Sequence, residues 1–220
     1  MALLYFDVNV IVAIRVVKFL EYELLLWKKK LNDFLKTCST TNHKQLVKYL
    51  KDVSYEEKQL LNAYSNIIGA FKLCHNVFGM SILLLMVEGF GHPLIYIQLI
   101  IDVAKSSTEN AEATSITSLL VTFIWILKSV TLISLLCVAC QNFYLTVADV
   151  ETACSVVRCD EGCLVSAHRL SKNVQRFGAC VGARRMMRPF NLVSVSAATP
   201  LHMLTVLVTY TVVLLQFAFL

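Results

Sequence analysis

The chain has 220 residues, of which 57% are hydrophobic and only 16% charged, with a mean hydropathy of +0.65. An ordinary globular domain carries roughly 25% charged residues, so a soluble enzyme of average surface is excluded. The formal net charge of +5 comes from Lys and Arg lying between apolar segments rather than beside aromatic stacking residues. That pattern favours a membrane surface over nucleic acid.

A bilayer core of about 30 Å needs roughly 20 mostly apolar helical residues, because unpaired backbone groups are costly in lipid. In chain order, Met1–Trp27 is the weakest candidate, since Asp7, Arg15, Lys18, Glu21 and Glu23 confine its apolar part to the first half. Val77–Ile101 holds one acid, Glu88, and Ile116–Cys140 holds one base, Lys128. Leu201–Leu220 holds no residue of fixed charge. Arg15 and Lys18 interrupt the first apolar stretch, and no small-residue cleavage site follows it, so a cleaved signal peptide is not expected.

Cytoplasmic loops retain positive charge during insertion. Residues 28–66 hold eight Lys or Arg, 102–115 only Lys105, and 141–189 seven. The expected order is inside, outside, inside, with both chain ends outside. Leu46, Leu50, Val53, Leu60, Leu61, Tyr64 and Ile68 recur near helical spacing, as do Val147, Val150, Cys154 and Val157. Each set predicts a membrane helix running on into the cytoplasm. None of the eight cysteines falls in the external loop, which points to reduced thiols.

The expected fold is therefore all-α, a polytopic transmembrane helical bundle of about four membrane helices with helical cytoplasmic extensions. A first membrane helix over 1–27 leads to a cytoplasmic helical connection over 28–66. A membrane helix over 67–103, bent by Gly89, Gly91 and Pro93, then reaches an external loop over 104–115. A third membrane helix spans 116–145, followed by a cytoplasmic helical connection over 146–189. Residues 190–220 form a short apolar piece, bracketed by Pro189 and Pro200, and then the last helix.

That last helix carries the most specific pattern. At about 100° per residue, His202, Thr205, Thr209, Val212 and Gln216 fall within an arc of roughly 80°. A polar stripe on a lipid-spanning helix either hydrogen-bonds to neighbouring helices or lines water. Lys128 and Glu88, expensive in lipid, are expected to face the bundle interior or a water-filled cavity, with an internal ion pair or snorkelling as the plainer role. Tyr96, Trp125 and Lys128 are ligand-pocket candidates, with the interfacial belt as the plainer role of the two aromatics.

The terminal string Thr209-Tyr210-Thr211-Val212-Val213-Leu214-Leu215-Gln216-Phe217 has the form T-Y, five mostly apolar residues, Q-F. It resembles the signature that closes the last membrane helix of insect gustatory receptors. Asn76–Met80 with Leu83–Leu85 resembles the start of that family's fifth helix, and Ala148–Glu151 the end of its sixth. Together these stretches are similar to the C-terminal half of such a receptor, from the fourth helix onward.

The resemblance implies a taste receptor subunit in the plasma membrane with an extracellular C-terminus. Four like subunits, identical or mixed, would form a ligand-gated cation channel responding to a small-molecule tastant. Gln216 and Phe217 would stand at the narrow outer part of the pore, with Thr209 and Thr205 deeper on the wet face. A phenylalanine ring blocks ions by dewetting, and amides substitute for hydration.

No enzyme, cofactor or metal centre is expected. Cys159, Cys163 and His168 form a C-x3-C pattern without a second paired unit, which is a weak zinc signal. Gly178–Gly182 sits in a basic stretch, outside the apolar setting that gives G-x3-G its meaning. The alternatives are a small polytopic transporter using Glu88 and Lys128 as a relay, or a four-span adaptor. The first lacks inverted repeats, and the second lacks a large cysteine-bearing external loop.

Overall fold

In the computed structural model, the described residues are 2–40, 46–105, 112–159, 170, 172–174 and 195–219. They build four helices: α1 (Ala2–Thr40), α2 (Leu46–Lys105), α3 (Glu112–Cys159) and α4 (Thr199–Phe219). Among the described residues there is no strand, so the all-α expectation holds. Cys163, His168, residues 178–182, Pro189 and Leu220 lie outside the described residues.

The three long helices share one packing code. In α1 the buried residues Val10, Ala13, Val17, Leu20, Leu24, Trp27, Leu31 and Phe34 advance by alternating steps of three and four, with Ile14 buried beside them. In α3 Ser129, Ile133, Leu136, Cys140, Phe143, Val147, Val150 and Cys154 do the same. In α2 Glu57, Leu60, Tyr64, Phe71, Cys74, Ser81 and Leu85 occupy the same repeat. A 3.5-residue period keeps one seam of a helix facing its neighbours.

Of the α2 and α3 stripes expected from sequence, Leu60, Tyr64, Val147, Val150 and Cys154 are buried, while Leu61 and Ile68 are half-buried. The side chains of Leu46, Leu50, Val53 and Val157 are outside the described set.

The chain divides into two compact units. One comprises Met1–Ile14, Val77–Ala139 and Arg188–Leu220; the other comprises Arg15–Asn76 and Cys140–Met187. The second has an aromatic core: Trp27 tilts against Tyr64 at 5.2 Å between ring centroids, and Phe71 stacks on Phe143 at 4.3 Å. Trp27 Nε1 donates to the Leu60 carbonyl at 2.7 Å, tying α1 to α2, and Lys28 pairs with Asp149 of α3 at the surface. Leu170 and Val174 are buried as well.

The first unit is apolar inside and out. Ile82, Leu85 and Met86 of α2 are buried, yet Val77, Met80, Leu84, Val87 and Ile95 are exposed at helical spacing on its other side. On α3 Leu120, Val121, Phe123, Ile124 and Leu127 are exposed too. A helix that is apolar all round suits lipid rather than water. Three helices have the length and composition to cross a bilayer, within Tyr55–Gln98, Phe123–Cys154 and Thr199–Phe217.

That count, made over the described residues, does not confirm the expectation of about four. Among the described residues α1 does not qualify, because Arg15, Lys18, Glu21 and Glu23 follow its short apolar start. The other helices are longer than the apolar stretches that suggested them. At about 1.5 Å per residue, the 60 residues of α2 reach ~90 Å, three times a hydrocarbon core, whereas the 21 residues of α4 reach ~32 Å.

Local features fix two further points. α2 stays helical on both sides of Pro93, which has no N–H to offer the Gly89 carbonyl. A Cβ on Gly89 would lie 2.7 Å from Ile133 Cδ1, so the missing side chain lets α2 and α3 close together there. The start of α4 is fastened reciprocally: Thr199 N donates to the Ser196 carbonyl at 3.0 Å, and Ser196 N donates to Thr199 Oγ1 at 3.1 Å. The Thr199 side chain accepts from the Ser196 N–H as the Glu of a capping box does, while the Ser196 backbone carbonyl, rather than its hydroxyl, takes the Thr199 N–H. Val195 and Thr199 are buried, and residues 195–198 before the helix are non-helical.

Candidate functional site

Helical spacing assembles a polar cluster inside the apolar unit. Glu88, His92 and Tyr96 follow one another at intervals of four along α2, and Trp125, Lys128 and Ser129 share a face of α3. Asp7, from the first turns of α1, completes the group.

Lys128 is the centre. Its Nζ lies 2.6 Å from Asp7 Oδ2 and 3.8 Å from the centroid of the Trp125 ring. One ammonium is thus held by a carboxylate and an aromatic face together. Trp125 Nε1 donates to Glu88 Oε1 at 3.1 Å, so the indole links the cation on its face to a second carboxylate at its edge. His92 lies 6.3 Å from Tyr96 and 6.4 Å from Trp125 between ring centroids. Its Nδ1 is 3.1 Å from the Glu88 carbonyl. A carbonyl only accepts, so this contact is a hydrogen bond in the tautomer that carries the proton on Nδ1.

Two atoms are left over. Asp7, 7% exposed, has a buried Oδ1 with no hydrogen-bond partner, and Ser129, 2% exposed, has a buried Oγ in the same condition. Buried polar atoms of this kind are rare, because each keeps the cost of leaving water. Ser129 Cβ lies 3.8 Å from the position a Cβ would take on Gly89.

Among the ligand-pocket candidates, Trp125 and Lys128 touch directly, and Tyr96 joins them through His92. All three are half-buried. Sequence reasoning missed Asp7 and His92 as members. The signal for Asp7 was present: a lysine in mid-span needs a counter-ion, and Glu88 is the one acid in Val77–Ile101 and Asp7 the one acid in the apolar first half of Met1–Trp27.

The pore candidates lie elsewhere, on α4. None of the residues in its apolar window is buried. Met203, Leu207, Thr211 and Leu214 are partly covered, and at ~100° per residue they fall on one narrow face. His202, Thr205, Thr209, Val212 and Gln216 are all exposed, and their stripe is centred about 180° from that face. Thr205 and Thr209 return their hydroxyls to the carbonyls of Leu201 and Thr205, each at 2.9 Å. Phe217 is 82% exposed.

Among the described residues no group of three or more His, Cys, Asp or Glu is placed to hold a metal ion. The fold and site define a multi-pass helical membrane protein with a charged and aromatic cluster inside its apolar unit. Comparison with known proteins brings no match, whether among protein families, curated proteins or solved structures.

Proposed function

We propose that this chain is a subunit of a chemosensory receptor-channel of the insect gustatory type, a plasma-membrane protein that admits cations when a small-molecule tastant binds. In this reading α1 supplies a fourth crossing, the C-terminus is extracellular, and like subunits assemble as a tetramer with α4 of each along the ion path. The observation that supports it is the orientation of the α4 stripe. His202 and Gln216 point away from the helix's own partly covered face, where lipid would leave an imidazole and an amide without partners. A neighbouring subunit or water removes that cost. The T-Y-x5-Q-F string and the ~32 Å length of α4 are consistent with it.

The test is thiol accessibility in the membrane. Thr209→Cys and Gln216→Cys are expected to react with a water-soluble, membrane-impermeant thiol reagent, and Met203→Cys and Leu207→Cys are not, measured against the unmutated protein. Equal protection of all four positions would put the stripe in lipid and remove the pore. In a conducting assembly, substitution of Gln216 is expected to change the single-channel current.

A transporter reading gains from one observation, the carboxylates Asp7 and Glu88 on either side of Lys128 and Trp125. Voltage-independent substrate uptake with an unreactive α4 would favour it.

A further inference from the structure

The cluster around Lys128 holds two carboxylates, Asp7 and Glu88, and one ammonium, beside the imidazole of His92. Counted on those three fixed charges alone, the formal charge is one negative, in an apolar unit that screens charge less than bulk water does. The ammonium is already committed to Asp7 and to the Trp125 face. Glu88 receives the indole N–H, but among the described residues no cation lies within 4.0 Å of its carboxylate. Asp7 Oδ1 and Ser129 Oγ are buried and unpartnered. The Trp125 indole that bonds Glu88 is neighboured by the His92 ring, and His92 in turn by the Tyr96 ring.

An excess of acceptors, one uncompensated negative charge and several aromatic faces complement one ligand chemistry. A protonated amine brings a positive charge, N–H donors and no acceptor. Its charge neutralises the site and its body lies on the rings. A carboxylate ligand would meet two like charges.

We propose that this cluster is a binding site for a small organic amine in its protonated form, with Glu88 as the principal counter-ion and Trp125, His92 and Tyr96 as the aromatic walls. The site rests on the reading of the bundle as a receptor for small molecules and gives that ligand a class. Lys128, seated between Asp7 and Trp125, is the protein's own example of the contact: an alkylammonium held by a carboxylate and an indole.

The experiment uses the full chain in phosphatidylcholine nanodiscs and three probes of one skeleton: 2-phenylethylamine, neutral 2-phenylethanol and anionic 3-phenylpropanoate. Equilibrium binding of labelled 2-phenylethylamine is expected, with the alcohol and the anion competing at least about tenfold more weakly. Glu88→Gln keeps an acceptor for Trp125 Nε1 but removes the charge, and is expected to lower amine affinity roughly tenfold, while Glu88→Asp retains most of it. The proposal is overturned if the three probes rank equally, if the amine does not bind at millimolar concentration, or if Glu88→Gln binds as well as the unmutated protein. Should the variants fail to fold, the ranking of probes on the unmutated chain decides alone. Amine selectivity absent beside a reactive α4 removes this inference and leaves the channel; selectivity present beside an unreactive α4 does the reverse.

Discussion

Replacing Lys128 by Met removes the only cation within 4.0 Å of Asp7 among the described residues and leaves a carboxylate buried with both oxygens unpartnered. Breaking a buried pair from one side costs roughly 3–5 kcal/mol, because the remaining charge keeps its desolvation penalty. The Lys128 side chain is 32% exposed and that of Asp7 10%, so solvent or headgroups screen part of the interaction and the lower end, about 3 kcal/mol, is expected.

The reverse change, Asp7→Asn, is milder. Lys128 keeps the Trp125 face at 3.8 Å, and its long stem can carry the ammonium towards polar surroundings, for a cost of about 1 kcal/mol. The double variant pairs no charge with no charge and should lie within about 1 kcal/mol of the unmutated protein, giving a coupling near 3 kcal/mol. Unfolding by denaturant titration in mixed micelles, followed by tryptophan fluorescence, measures all four corners of the cycle. An additive double variant would refute the view that the ion pair is a mutually dependent unit, and equal losses from the two single variants would refute the escape of the Lys128 ammonium to the Trp125 face and polar surroundings.

Three further outcomes follow from the second unit. Trp27→Phe keeps the ring against Tyr64 but deletes the 2.7 Å bond to the Leu60 carbonyl, for an expected loss of about 1 kcal/mol, against roughly 3–5 kcal/mol for Trp27→Ala, by the same titration. Phe143→Ala removes a buried ring stacked on Phe71 and should cost ~3–5 kcal/mol, and Phe143→Leu no more than about 2. The Lys28–Asp149 pair is surface-exposed, so Lys28→Ala should cost under about 1 kcal/mol, a difference that disappears in roughly 1 M salt when the unfolding midpoints are compared.

The helical content and the apolar spans were legible because both are local properties of composition and spacing. The continuation of α2 and α3 beyond those spans was legible in a different signal, the helical stripe of apolar residues. Apolar runs end at Val77 and Cys140, but the 3,4 repeat of Leu60, Tyr64, Phe71 and Cys74, or of Phe143, Val147 and Val150, continues the helix where mean hydropathy falls. The same repeat in α1, from Val10 to Phe34, is hidden from a hydropathy scan by Arg15, Lys18, Glu21 and Glu23 on the other faces.

Within the site, Trp125 and Lys128 were found by position, one turn apart in an apolar helix. Their partners were not, since Asp7 is 121 residues from Lys128 and Glu88 is 37 from Trp125. Pairing at that range is set by which helices neighbour one another, and no local pattern carries it. The need for a counter-ion was legible; the identity of the counter-ion was a choice between two acids.

The geometry of α4 also constrains how a pore could be built from it. Neighbouring residues on a helix point about 100° apart, so Gln216 and Phe217 cannot both face one axis. Gln216 belongs with Thr205, Thr209 and Val212 on the stripe opposite the covered face, and Phe217, seven residues after Tyr210, shares that residue's flank. In a ring of like subunits whose stripes meet at the centre, Gln216 and Val212 would stand at the narrow path, with Tyr210 and Phe217 turned sideways towards the adjacent copy. An amide supplies ion-solvating dipoles and an isopropyl group a dewetting constriction, so one helical turn of the stripe holds both elements that gating needs. The exposed phenylalanine would then serve assembly rather than conduction, which separates two roles that the motif, read as letters, assigns to a single pair.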